Sequence, residues 1–274
     1  MGSVKLKKVG LAEIKALYQV PVKSHKGQNG KLTIIGGSRL FHGASLWALK
    51  VASRIVDMVY YSSIPENNKL TESLKSKIYD FIAVPREEIR DYLEESDAVL
   101  IGPGLMREKE TKTLTEKLIK EFSQKRWVID AGSLQMMDKA LIPKEAVLLP
   151  HQREFERLFG IKASREMAVK MAKKYGCIIL LKGPADFICS PNKRQVNTTG
   201  NEGMTKGGTG DALAGLVAAL ACKNDPFLAA CDGAFINGLA GDRLKKRVGV
   251  YYNTSDLVEE IPVALKFCLD QKRS

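Results

Sequence analysis

The residues best suited to chemistry are gathered in TGNEGMTKGGTGDALAGLVAAL, positions 199–220. Gly200, Gly203, Gly207, Gly208 and Gly210 fall within eleven residues, and an amphipathic helical pattern starts immediately after them. Glycine lets a backbone take positive φ and bring its N–H groups against a ligand. A helix start leaves its first N–H groups unpaired and presents the positive end of its dipole. Gly208, Thr209 and Gly210 therefore form a candidate anion hole, suited to a phosphate or to charge developing in phosphoryl transfer. Asp211 stands where the helix begins. As a base beside the cradle it would take a proton from an attacking hydroxyl. As a plain first-turn acid it would favour the helix by about 0.3–1 kcal/mol and need no other role. The pattern alone leaves both open. The block is not a Walker loop: no G-x-x-x-x-G-K-[ST] occurs in the chain, and no G-x-G-x-x-G follows a strand and opens a helix.

The elements that must position this block alternate. Strand candidates are KLTIIGG (31–37), MVYYSSI (58–64), DFIAV (80–84), AVLIG (98–102), WVIDA (127–131), AVLLP (146–150) and CIILLK (177–182). Several are apolar throughout, the pattern of strands covered on both faces in a parallel sheet. Helical patterns lie between them at 44–57, 108–122 and 164–176, and two more follow at 210–222 and 226–247. DFICS (186–190) and RQVNTT (194–199), split by Pro191-Asn192, read as a small antiparallel element. The alternation predicts an α/β fold with helices on both sides of a mostly parallel sheet. Ligands of such sheets bind beyond the carboxyl ends of the strands. Those ends are Gly36-Gly37-Ser38, Gly102-Pro103-Gly104, Asp130-Ala131-Gly132, Pro150-His151 and Lys182-Gly183.

Composition bounds the rest. A length of 274 residues with no visible repeat or linker predicts one domain over 1–274. The formal charge is +12, but the basic residues are spread along the chain and aromatics make up only 7%. That predicts a solvated basic surface, or one attracting anionic metabolites, and no nucleic-acid partner. The N-terminus lacks the apolar core of a secretory signal, and no run approaches the ~20 apolar residues of a membrane span. The expected setting is cytoplasmic, with no membrane contact. Cys177, Cys189, Cys222, Cys231 and Cys268 show no C-x-x-C spacing and are expected to be buried, reduced thiols.

TGNEGMTKGGTGDALAG resembles the signature of the NAD(P)H-hydrate dehydratases, enzymes of the ribokinase-like superfamily. Further blocks in the same order are similar to that family: HKGQNGKLTIIGGS, FHGAS, DAVLIGPGL, VIDAGSL, LLPHQREFERLFG, ILLKGPADFI and NGLAGDRL. The resemblance runs from about His25 to the end. It implies a three-layer α/β/α fold and a repair reaction. Water adds to the nicotinamide ring of NADH or NADPH; family members phosphorylate the resulting ring hydroxyl with ADP or ATP, and loss of phosphate restores the reduced ring. It also implies site residues. Ala44, Gly104, His151 and Asp211 match positions on the hydrate. Lys182, Gly183, Pro184, Ala185, Asp186 and Gly210 match positions beside the nucleotide, with Asp211 as base. Glu154 matches an acidic position near magnesium, reached through water. The expected cofactors are Mg2+ and ADP or ATP, the expected partners NAD(P)HX and other copies of the chain, and no N-terminal epimerase domain is expected.

The match is imperfect. DAGSLQ stands where the family usually reads Asp-Ala-Asp-Ala-Leu-Asn, and Pro184-Ala185-Asp186 replaces a segment ending in Thr or Ser. A carboxylate at 186 would repel phosphates unless it turns away or holds a cation. Two rivals follow: a kinase for a vitamin-precursor alcohol, and a non-catalytic nucleotide-binding protein of the same fold. Smaller expectations are that Trp47 belongs to the core, that Lys206 is solvated, that His25 and His42 lie at the surface, and that Asp130 either caps a helix or serves the site.

Overall fold

The computed structural model describes residues 6–68 and 80–271. In chain order its elements are β1 (Lys7–Lys8), α1 (Leu11–Ile14), β2 (Lys31–Ile35), α2 (His42–Ala52), β3 (Met58–Ser62), β4 (Ile82–Ala83), α3 (Ile89–Glu95), β5 (Ala98–Ile101), α4 (Lys109–Glu121), β6 (Arg126–Ile129), α5 (Ala131–Met136), β7 (Val147–Leu148), α6 (Gln152–Phe159), α7 (Arg165–Tyr175) and β8 (Ile178–Leu181). They are followed by β9 (Asp186–Cys189), β10 (Arg194–Asn197), α8 (Thr209–Ala221), α9 (Pro226–Val248) and α10 (Thr254–Asp270).

The apolar strands pair as their composition predicts. A run of seven, in the order β4-β3-β2-β5-β6-β7-β8, is parallel throughout. β9 and β10 then add as an antiparallel pair, so the small antiparallel element read from the sequence extends the same sheet. β1 closes that edge by pairing parallel to β10. Successive strand residues point to opposite faces, and each face meets its own helices. Leu32, Ile34, Leu100, Val128 and Leu180 pack with α2, α8, α9 and α10. Ile35, Val99, Ile101, Ile129 and Ile179 pack with α3 to α7. The result is three layers, with Trp127 sealed into the second core and its Nε1 donating to the Phe122 carbonyl at 2.9 Å. All five cysteines are free and buried, as expected.

Two features matter for the site. After β2 the chain places β3 and β4 on one side of it, then crosses over to place β5 and the following strands on the other. That switch point opens a crevice at the strand carboxyl ends, where the glycine and aspartate turns lie. α8 rises behind the crevice and is buried along eleven of its thirteen residues. A helix apolar on all sides belongs in an interior, so its exposed work is confined to its first turn.

Candidate active site

Gly208 opens α8 with φ +98° and ψ −20°, a conformation that favours glycine. A Cβ there would lie 2.3 Å from the indole of Trp47. Trp47, expected in the core, thus lies half-buried against the candidate anion loop. Other elements brace the loop. Asp242 of α9 accepts from the Gly200 N–H at 3.0 Å and from Asn201 Nδ2 at 3.1 Å. Asn201 Oδ1 accepts from the Gly203 N–H and from the Tyr252 hydroxyl. The Gly207 carbonyl accepts from the Thr254 hydroxyl at 2.7 Å. Lys206 is not a free cation: it donates to the Gly203 and Val250 carbonyls and sits over the Tyr252 ring.

Of the three expected anion-hole residues, Thr209 is turned inward. Its hydroxyl donates to the Met204 and Lys206 carbonyls, and its N–H reaches Lys206 at 3.4 Å. Among the described residues, no backbone carbonyl outside the helix accepts from the N–H of Gly208 or Gly210. These two carry the open part of the cradle.

The chemistry centres on Lys182, just past β8. Its Nζ lies 2.9 Å from Asp130 Oδ1 and 3.9 Å from Glu154 Oε2. Asp130, at the end of β6, is 2% exposed and accepts this ammonium. As the residue before α5 it makes no side-chain cap hydrogen bond. Burial pulls the Lys182 ammonium down, but the surrounding charges of Asp130, Glu154 and Asp211 outweigh it and hold the pKa above the ordinary lysine value. Asp211 feels the same cluster from the other side. Burial, then the charge of Asp130, with Lys182 opposing and Glu154 adding, push its carboxyl from 3.8 to about 7. A general base is most effective with a pKa near the working pH.

Two clefts meet at this cluster. One, of about 550 Å³, is lined by Lys182, Gly183, Pro184, Asp186, Gly210 and Thr209, and also by Asn237 and Gly238. The other, of about 870 Å³, is lined by Ala44, Gly104, His151, Glu154, Gln135 and Asp211. The positions expected on a hydrate and those expected beside a nucleotide therefore separate onto two sides of one junction. Ala185 is the exception: it faces a smaller depression with Gln152 and Arg165. Arg107, Arg153 and Arg157 also line the larger cleft. All three are exposed, and among the described residues none has a carboxylate partner. Arg153 and Arg157 are four apart on α6, where like charges disfavour a helix.

His151 and Glu154 also hold each other. His151 Nδ1 accepts from the N–H groups of Arg153 and Glu154, and Glu154 Oε2 accepts from the His151 N–H at 2.9 Å. This capping box fixes the start of α6. Gln135, at the position where the family has Asn, donates to Glu154 Oε1 at 3.2 Å. Nearby, Ala131 takes a positive φ of 45°, a strained conformation for alanine at a site. The other departures are also explained. A Cβ at Gly132 would lie 2.1 Å from the Leu105 carbonyl, so the turn after β5 occupies the space a carboxylate would need. Asp186 turns inward, accepting from the Gly183 N–H at 3.1 Å and from Asn197 Nδ2 at 3.1 Å. Burial raises its pKa, which further weakens repulsion of a phosphate. Among the described residues no three His, Cys, Asp or Glu side chains could hold a metal ion directly.

Comparison with known proteins bears on this site. A family model described as NAD(P)H-hydrate dehydratase matches residues 32–263. A bifunctional NAD(P)H-hydrate repair enzyme from Methanocaldococcus jannaschii is 40% identical over 268 residues, covering 94% of this chain and 52% of the relative. An ADP-dependent (S)-NAD(P)H-hydrate dehydratase from Nitrosopumilus maritimus is 34% identical over 265 residues, covering 89% of this chain and 91% of the relative. The chain spans about half the length of the bifunctional relatives it matches. Among solved structures, an ADP/ATP-dependent NAD(P)H-hydrate dehydratase from Bacillus subtilis, co-crystallised with ATP and Mg2+, superposes with a TM-score of 0.86 at 23% identity, covering 97% of this chain and all of that one. A ribokinase-like superfamily protein from Enterococcus faecalis gives 0.85 at 23% identity and 98% coverage of both chains. The fold is therefore ribokinase-like, three-layered α/β/α.

Proposed function

The chain belongs to the NAD(P)H-hydrate dehydratase family, and from that premise we propose that it uses ADP or ATP to return hydrated NADH or NADPH to the reduced cofactor. One juxtaposition carries the reading: Asp211, with a carboxyl poised at about 7, lies at the meeting of two clefts beside Lys182. The nucleotide occupies the smaller cleft with its phosphates toward Lys182 and the N–H groups of Gly208 and Gly210. The hydrate occupies the larger one, its ring hydroxyl facing Asp211 and its phosphates within reach of Arg107, Arg153 and Arg157. Arginine is well matched to phosphate oxygens, and a cleft of this volume suits a dinucleotide better than a single small ring.

Asp211 takes the proton of the ring hydroxyl as its oxygen bonds to the terminal phosphorus and the bridging P–O bond of the nucleotide breaks. Lys182 balances the negative charge on the transferring oxygens. The C–O bond to the new phosphate then breaks, drawn by the ring nitrogen lone pair, and a proton leaves the adjacent carbon to restore the double bond. With Lys182 filling the space between Asp130 and Glu154, magnesium would travel on the nucleotide phosphates, with Glu154 meeting it through water; it supplies charge neutralisation there. The test is incubation with chemically prepared NADH hydrate, Mg2+ and either ADP or ATP, following the return of reduced-nicotinamide absorbance. Nucleotide-dependent recovery is expected. A folded protein giving none with either nucleotide overturns the reading.

A further inference from the structure

Asn237 lies on α9 where the helix passes behind the glycine loop. It lines the smaller cleft and is only 5% exposed. Its Oδ1 is buried without a hydrogen-bond partner. The polar groups around it are already engaged. Thr199 donates its hydroxyl to Asn197 Oδ1 and the Phe235 carbonyl, and Asp242 holds Gly200 and Asn201. Buried polar groups are normally paired, so an orphan on a cleft wall points to a ligand group that completes it.

The cleft is lined by two unlike kinds of group. Lys182 supplies positive charge and Gly210 an open N–H. Met204, Leu213, Ala234 and Gly238 supply apolar surface, and the Asn237 carboxamide oxygen has no partner. Apolar walls suit a flat heteroaromatic ring, and one polar group then reads its edge. Rotation about Cβ–Cγ presents an acceptor and a donor side by side. Adenine offers the complement, an amino donor next to a ring-nitrogen acceptor, whereas the corresponding edge of guanine offers two acceptors.

We infer that Asn237 selects adenine over guanine nucleotides in this cleft. The inference rests on the reading of the smaller cleft as the nucleotide side. Calorimetric titration of the full chain with ADP and with GDP, with Mg2+ and without any hydrate, tests it. ADP is expected to bind about ten- to a hundredfold more tightly, the discrimination typical of one bidentate carboxamide–adenine contact. Asn237→Leu, of similar size, is expected to weaken ADP to within about threefold of GDP while leaving GDP nearly unchanged. Because it removes an orphaned buried acceptor, its melting temperature should hold or rise; Asn237→Ala provides the same comparison if the leucine variant does not fold.

Equal binding of ADP and GDP by the native chain overturns the inference. So does a variant that loses both equally or keeps its preference. A chain that prefers ADP but repairs no hydrate overturns the proposed reaction alone. One that repairs hydrate equally with ADP and GDP overturns the role of Asn237 alone.

Discussion

Asp211 and Asp232 are both acids held far above the usual carboxylate range, at about 7 and about 8, and burial is the first cause in each. What surrounds them differs. Asp211 opens a helix at the junction of two clefts, with Lys182 close enough to pull its pKa back down. Asp232 lies inside α9, fully buried, with no hydrogen bond to either oxygen and only the distant charge of Glu13 acting on it. Burial alone makes a carboxyl neutral and inert. Burial beside a lysine held by two further carboxylates makes one that can exchange a proton near neutral pH.

The sharpest way to break this comparison is Asp211→Asn. Turnover should fall about a thousandfold, while ADP affinity measured by calorimetry changes little, because the N–H cradle is backbone. Retained turnover would reduce Asp211 to an ordinary first-turn acid. Next in size, Lys182→Met should lower turnover about a hundredfold or more and move the pH–rate profile. The base works deprotonated, so activity rises with pH through about 7 in the native chain. Removing the opposing cation raises that midpoint. A midpoint that stays or falls would mean Lys182 does not tune Asp211. Smallest in activity is Asp232→Asn, which should leave turnover alone and act on stability. The folded-state pKa of Asp232 is raised from 3.8 to about 8. Its contribution is therefore present below about pH 4 and lost as pH climbs through about 8. The melting-temperature advantage of the variant should grow across that window; an advantage independent of pH would show that Asp232 does not titrate there.

The parallel sheet was legible because its strands are continuously apolar and punctuated by Gly, Pro or Asp. The two clefts were legible only as separate blocks. Lys182 and Asp130 are 52 residues apart, and no local pattern announces that they meet. Composition could suggest that Asp186 is awkward beside phosphate but not that it folds back onto Gly183. The helical patterns read from the sequence end at 247, so α10 is added by the structure, although Asn253 and Asp256 form the capping box that opens it. β1 is two exposed lysines, whose pairing with β10 depends on an edge that exists only after folding. Asp232 leaves no trace in the pattern, since one acid in a long helix normally faces water.

The contact between Trp47 and Gly208 has an optical consequence. The sequence holds two tryptophans. One indole rests on the loop proposed to receive phosphate charge, and the other is sealed in the opposite layer against Phe122. On the proposed function, ligand arrival would change the electric field at the first and leave the second untouched. The chain would then contain a fluorescent gauge of its own occupancy together with an internal standard.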